Sequence, residues 1–230
     1  MKSKRDIFGF FLKLLAKALF FASIIKLSSL CKVSFIFGSK FATFSGSGAT
    51  MPLTGLFAGG LVSFVICLCS LAIRYVLFGL SSLHLLAFYI PGLCAACYFS
   101  TNKLLRISMQ LIVPVLCMIL FLVHPIGYHA FAYSFFWLIP IVVYATRSKN
   151  MFATMLASTF VAHAVGSVIF LYTLGLNAAI WNALIPIVAL ERLVMASVMF
   201  ALYKIVGYVR DRFLQKCVLC TKIREVSFTR

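Results

Sequence analysis

The feature that most constrains this chain is a series of six apolar stretches, each close to the ~20 residues that a helix needs to cross a bilayer. They are Met51–Ile73, Ser82–Tyr98, Ile107–Val123, Ile126–Ala145, Met151–Thr173 and Ala179–Gly207. Lipid offers the backbone no hydrogen bonds, and a helix satisfies its own. With 63% hydrophobic residues, 11% charged residues and a mean hydropathy of +1.10, the chain carries more apolar surface than a soluble domain could hide. The sequence predicts an all-α integral membrane protein, a bundle of six transmembrane helices preceded by a basic amphipathic N-terminal helix.

Charge placement orients that bundle. Eight Lys and Arg precede Met51, and seven run from Lys204 to the end. Between the stretches stand Arg74, then Lys103 and Arg106, then none at His124–Pro125, then Arg147 and Lys149, then none at Gly175–Asn177. Rich and poor gaps alternate, which places both termini in the cytoplasm by the positive-inside rule. The formal net charge of +17 follows from this topology and gives no indication of nucleic-acid binding.

Three regions follow. Residues 1–50 comprise the basic helix and a connection ending in Ser45-Gly46-Ser47-Gly48. Asp6, Lys13 and Lys17 share one narrow side of the helical wheel over Ile7–Ile25, so this helix could lie on the membrane surface or span with snorkelling lysines. The surface reading keeps the basic C-terminal end inside. Lys13 and Lys17 also argue against a cleaved signal peptide. Residues 51–208 form the transmembrane domain and 209–230 a basic cytoplasmic tail. Among the eight Cys, those at 67, 69, 94, 97 and 117 read as small apolar side chains in or beside spans, and the lone Cys217–Cys220 pair as reduced thiols.

The last stretch carries Glu191 and Arg192 near its middle. Acids are rare here (Asp6, Glu191, Asp211 and Glu225), and only Glu191 sits in an apolar segment. A charge at membrane depth costs roughly 2.5–3.5 kcal/mol on insertion scales, so it faces the bundle interior. Two roles stay open: locking helices together, or handling a ligand. His163, with Thr159 and Ser167 a turn to either side, lies at similar depth and could pair with Glu191 or bond a backbone carbonyl. Polar and aromatic groups gather at the outer ends of spans: His84, His124, Tyr128, His129, Tyr133, Asn177, Trp181 and Asn182. Interfacial belts account for Trp and Tyr there, less readily for His and Asn. An outward cavity lined by His84, His124, His129, Tyr133, His163, Asn177, Trp181, Asn182 and Glu191 would suit a small polar solute. Gly55, Gly59, Ser63 and Cys67 fall at four-residue spacing, a face for close packing within the chain or against a partner subunit.

Catalytic patterns are weak: no Walker A sequence, no HExxH helix and no paired acids for a metal. No cofactor or metal is expected, and the chain does not read as an enzyme.

In its length, six-span architecture, cytoplasmic termini, small-residue face and polar groups under the outer surface, the chain resembles the substrate-binding S components of prokaryotic energy-coupling-factor vitamin transporters. The resemblance covers most of residues 51–208 and is architectural. It implies a multi-pass protein of a bacterial inner membrane that captures a vitamin or cofactor precursor. It also implies a transmembrane coupling subunit and ATPase subunits as partners, besides membrane lipid. The family docks its coupling subunit through Ala-x-x-x-Ala in the first helix. Ala18 and Ala22 match that spacing in the lysine-bearing helix, and Gly55, Gly59 and Ser63 offer a substitute. The competing class is a non-catalytic structural or assembly subunit, and an intramembrane enzyme is a third.

Overall fold

A helix satisfies its own backbone, and nearly every apolar run of this chain takes that form. The computed structural model describes residues 4–33, 44–78 and 84–228, with side chains for 8–31, 46–73, 75–76 and 89–212. The elements are α1 (Lys4–Leu30), α2 (Ser47–Ala58), α3 (Gly60–Phe78) and α4 (His84–Cys97). Next, α5 (Lys103–Ile107), a π turn (Ser108–Ile112) and α6 (Val113–Val123) follow one another without a break. A short α7 (Pro125–His129) leads to a 3-10 segment (Phe131–Trp137) that runs into α8 (Leu138–Ala145). Finally come α9 (Met151–Leu174) and α10 (Ala178–Phe228). Lys32–Val33 pairs antiparallel with Phe44–Ser45, a two-residue clasp after α1.

Four helices are long and apolar enough to cross a bilayer: Phe8–Leu30, Lys103–Val123, Met151–Leu174 and Ala178–Arg212. Gly60–Ile73 and Phe131–Ala145 are shorter apolar helices. Large side chains such as Leu61, Phe64, Leu116, Ile119, Val142 and Val198 point out of the bundle, as they would towards acyl chains.

The expected stretches and the observed helices do not correspond one to one, and backbone chemistry explains each departure. Met51–Ile73 is not one helix. Gly59, at φ 91° and ψ 162°, ends α2 in a conformation that L side chains rarely adopt. Thr54 and Ser63 lie nine positions apart, about 13.5 Å along a straight helix at ~1.5 Å per residue, yet their buried hydroxyls meet at 2.8 Å. The chain therefore folds back at Gly59, and Gly55, Gly59, Ser63 and Cys67 do not form one continuous face. Ile126–Ala145 likewise divides into α7, the 3-10 segment and α8. Pro125 and Pro140 both stand in first turns, where a missing N–H leaves no intrahelical acceptor unpaired. Pro114 opens α6 in the same way. It cannot donate to Gln110 four residues back, and the preceding turn widens until Val113 N–H reaches Ser108 O.

Packing centres on α9, which touches α4, α6, α8 and α10. Its buried Ala157, Ser158 and Val161 lie against α4, and Ser158 Oγ donates to Ala95 O at 2.9 Å. On another side of α4, Gly55 presses so closely on Ala96 that a Cβ would overlap the Ala96 carbonyl. The small-residue face is thus used inside the chain. Ala18 of α1 is buried against Val62 and Ile66 of α3, with Ala22 beside it. The outward side of α1 bears Phe8, Phe11, Leu15 and Leu19 as well as Lys13 and Lys17. α10 runs on through the stretch expected as a basic cytoplasmic tail (209–230) as far as Phe228. At ~1.5 Å per residue its 51 residues reach about 77 Å, over twice the ~30 Å hydrocarbon core.

Candidate functional site

Four elements converge around the middle of α9. The 3-10 segment supplies Tyr133, Phe136 and Trp137, α6 supplies Phe121, α9 supplies Phe160, His163 and Ser167, and α10 supplies Trp181. Tyr133 is the hub. Its ring lies 4.9 Å from Trp181, 5.3 Å from His163 and 5.6 Å from Phe121, centroid to centroid. Phe121 in turn meets Trp137 at 5.2 Å and Trp181 at 5.4 Å, both edge to face. Such pairs each add about 0.5–1.5 kcal/mol beyond area burial.

A polar thread runs through the rings. Tyr133 OH lies 3.3 Å from Ser167 Oγ, and Ser167 Oγ lies 3.4 Å from His163 Nε2. Ser167 and His163 are four apart on α9, hence one above the other on a single face. Two donors in the same cluster have no hydrogen-bond partner: Nε1 of Trp137 and Nε1 of Trp181. The two residues are 0% and 2% exposed. A buried unpaired donor costs on the order of 1–3 kcal/mol.

One turn nearer the N-terminus of α9 lies the ion pair. Glu191 Oε1 accepts from Arg192 Nη2, and Arg192 Nη1 donates to Thr159 O at 3.4 Å, which ties α10 to α9. Residues adjacent on a helix do not share a face, so the two long side chains must bend towards each other. The pairing of Glu191 with His163 that the sequence left open is not formed. Arg192 takes Glu191, and Ser167 takes His163.

Of the expected site residues, Tyr133, His163 and Trp181 come together, with Glu191 a turn beneath. The others do not join them. His124 caps α7, its Nδ1 accepting from Ile126 N at 3.3 Å, and its ring meets Tyr172 at 4.9 Å. His129 is exposed at the end of α7. Asn177 caps α10 through Ile180 N, and Asn182 points outward. His84 opens α4, and its side chain lies outside the described residues, as do those of Cys217 and Cys220. Trp137 and Phe121 were missed because an aromatic inside an apolar run reads as lipid-facing or core. Among the described residues no group of three His, Cys, Asp or Glu side chains could hold a metal ion.

Comparison with protein families, with curated proteins and with solved structures finds no match to this chain.

Proposed function

We propose that the chain is a membrane transport protein that binds a small polar solute at the Tyr133–His163–Trp181 cluster and helps to import it, in the manner of an S component. The observation that carries this reading is the pair of unpaired indole N–H groups beside the Tyr133–Ser167–His163 thread. A packed core of aromatic rings needs no donors, and orphaned ones weaken it. A solute with an acceptor oxygen or nitrogen would satisfy both indoles and stack on Tyr133. The alternation of Lys and Arg supports both termini in the cytoplasm of a bacterial inner membrane. On this reading the crossings are α1, α4, Lys103–Val123, Phe131–Ala145, α9 and α10, and α2–α3 form a hairpin that dips in from outside. Since Ala18 and Gly55 are occupied within the chain, a coupling subunit with its ATPases would dock elsewhere, on the outward Phe and Leu side of α1.

The test is a thermal-shift panel of water-soluble vitamins and their precursors on the purified protein, repeated with Trp181→Phe and Trp137→Phe. Each change removes one donor and keeps an aromatic ring, so the fold should survive. A compound that raises Tm in the parent and much less in either variant supports the site. A panel without any stabilising compound, or stabilisation that both variants retain, refutes it.

One observation favours the competing reading of a structural or assembly subunit: Glu191 and Arg192 close on each other and bridge α10 to α9.

A further inference from the structure

At the opposite end of the bundle from the aromatic cluster lies a cavity of about 400 Å³, within the ~300–1,000 Å³ range of small-molecule sites. Three cations line it: Lys103 and Arg106 from α5, and Arg147 from the turn after α8. Its lining also includes Tyr98, Gln110 and Thr154. Tyr98 is buried, and its carbonyl accepts from Gln110 Nε2 at 3.5 Å, which fixes the amide of the π turn against it.

Charge balance is the deciding feature. None of the three cations makes an ion pair among the described residues. The two acids whose side chains are described are engaged elsewhere, Glu191 with Arg192 and Asp211 with Arg210. Three like charges converge on one concavity with no carboxylate among the described residues to offset them, and that arrangement favours an anion. Arg147 is also the one described non-glycine residue at positive φ, 48°. Backbone held there costs on the order of 1 kcal/mol for a residue other than Gly, Asn or Asp. Asn102 and Asn150 already cap the amides of α5 and α9, so the side chains, not the helix ends, present the charge.

The location narrows the chemistry. Above the cavity the Lys103–Val123 helix exposes Ile112, Leu116 and Ile119, so its basic end sits where an apolar span meets the interface. Phosphates of anionic lipids lie at that depth, and basic pockets between spans bind them. Arginine forks match phosphate oxygens in pairs.

We propose that Lys103, Arg106 and Arg147 form a site for a phosphate oxyanion at the basic end of the bundle, carried by an anionic lipid headgroup or by free phosphate. The site is independent of the solute cluster.

The experiment uses the full chain in non-ionic detergent, titrated separately with dioctanoyl phosphatidylglycerol, dioctanoyl phosphatidylcholine and inorganic phosphate. The variants are Arg106→Gln, Arg147→Asn (which tolerates positive φ) and Lys103→Gln, with Lys149→Gln as an exposed control outside the cavity. Size-exclusion profiles confirm that each variant stays folded, and three separate substitutions keep the test open if one does not. Each cavity variant should weaken phosphatidylglycerol binding about tenfold or more, while Lys149→Gln and phosphatidylcholine should show no such effect. If inorganic phosphate fails to compete, the headgroup in its lipid is the ligand. If phosphate binds saturably by itself and is lost in the same variants, free phosphate is the ligand. Undiminished binding in the cavity variants, equal loss in Lys149→Gln, or no binding of either anion overturns the proposal.

Discussion

Replacing Glu191 and Arg192 singly and together by Leu measures what the ion pair does. The side chains are 16% and 18% exposed for Arg192 and Glu191, so the range for buried pairs applies. In Glu191→Leu, Arg192 keeps one long bond to Thr159 O, while Nε, already without a partner, gains none. Breaking a buried pair costs about 3–5 kcal/mol. At ~2–4 °C per kcal/mol for chains of this length, Tm should fall by roughly 6–20 °C. Arg192→Leu should fall similarly, because it strands the carboxylate. The double variant removes both charges and should lie within ~1–2 kcal/mol of the parent, since apolar replacement of a whole pair is often neutral or stabilising. The expected coupling is therefore large and the effects strongly non-additive. Tryptophan fluorescence suits the assay, because both tryptophans of the chain are buried in the cluster just above the pair. Single variants within ~1 kcal/mol of the parent, or a double variant that loses the sum of the two, would refute the reasoning. The same double variant also separates the functional readings. If it is stable and still binds the compound found in the panel, Glu191 is confined to architecture. If it is stable and blind to that compound, the ion pair belongs to the solute site.

Two further outcomes are expected. Gly55→Ala places a methyl on the Ala96 carbonyl and should cost about 1–3 kcal/mol by overpacking, whereas Gly207→Ala, with open space around it, should be nearly silent in a melting curve. Cysteine introduced at Asn177 should react with an impermeant thiol reagent from outside intact cells and cysteine at Lys149 should not; the reverse pattern would invert the bundle.

Apolar length made the long helices legible, because a run of ~20 apolar residues has one solution in lipid. The breaks were less so. Gly59 reads as one more small residue in a stripe, and its positive φ together with the Thr54–Ser63 contact shows that the chain turns back there. Pro125 and Pro140 were visible, but a proline does not announce whether it kinks a helix or starts one. Side-chain partners were hardest. Depth by residue count set Glu191 level with His163, yet depth says nothing of azimuth, and a neighbour with a long guanidinium reached the carboxylate first. Lys103, Arg106 and Arg147 were read for topology alone, since two gaps far apart in sequence give no sign that they meet over one cavity.

Among the elements that join the two ends of the molecule, α9 carries the most polar contacts. Its polar residues recur at nearly helical spacing: Thr154, Ser158, Thr159, His163 and Ser167. On a lipid-facing helix that row would be costly, so α9 must sit where neighbours can meet it. They do so in sequence. Thr154 lines the basic cavity, and Ser158 holds the Ala95 carbonyl of α4. Thr159 offers its carbonyl to Arg192 of α10, and His163 and Ser167 carry the thread to Tyr133. Ser158, the Thr159 carbonyl and Ser167 thus tie α9 to three different elements, α4, α10 and the 3-10 segment, at different depths. These three bonds help to set the register of α9 against its neighbours. If solute binding at Tyr133 and anion binding at Arg106 influence each other, α9 shares the coupling with the Lys103–Val123 helix and with the run from Phe131 to Ala145, which also touch both sites. Ser158→Ala, which releases the bond to α4 and touches neither site, should weaken the share carried by α9.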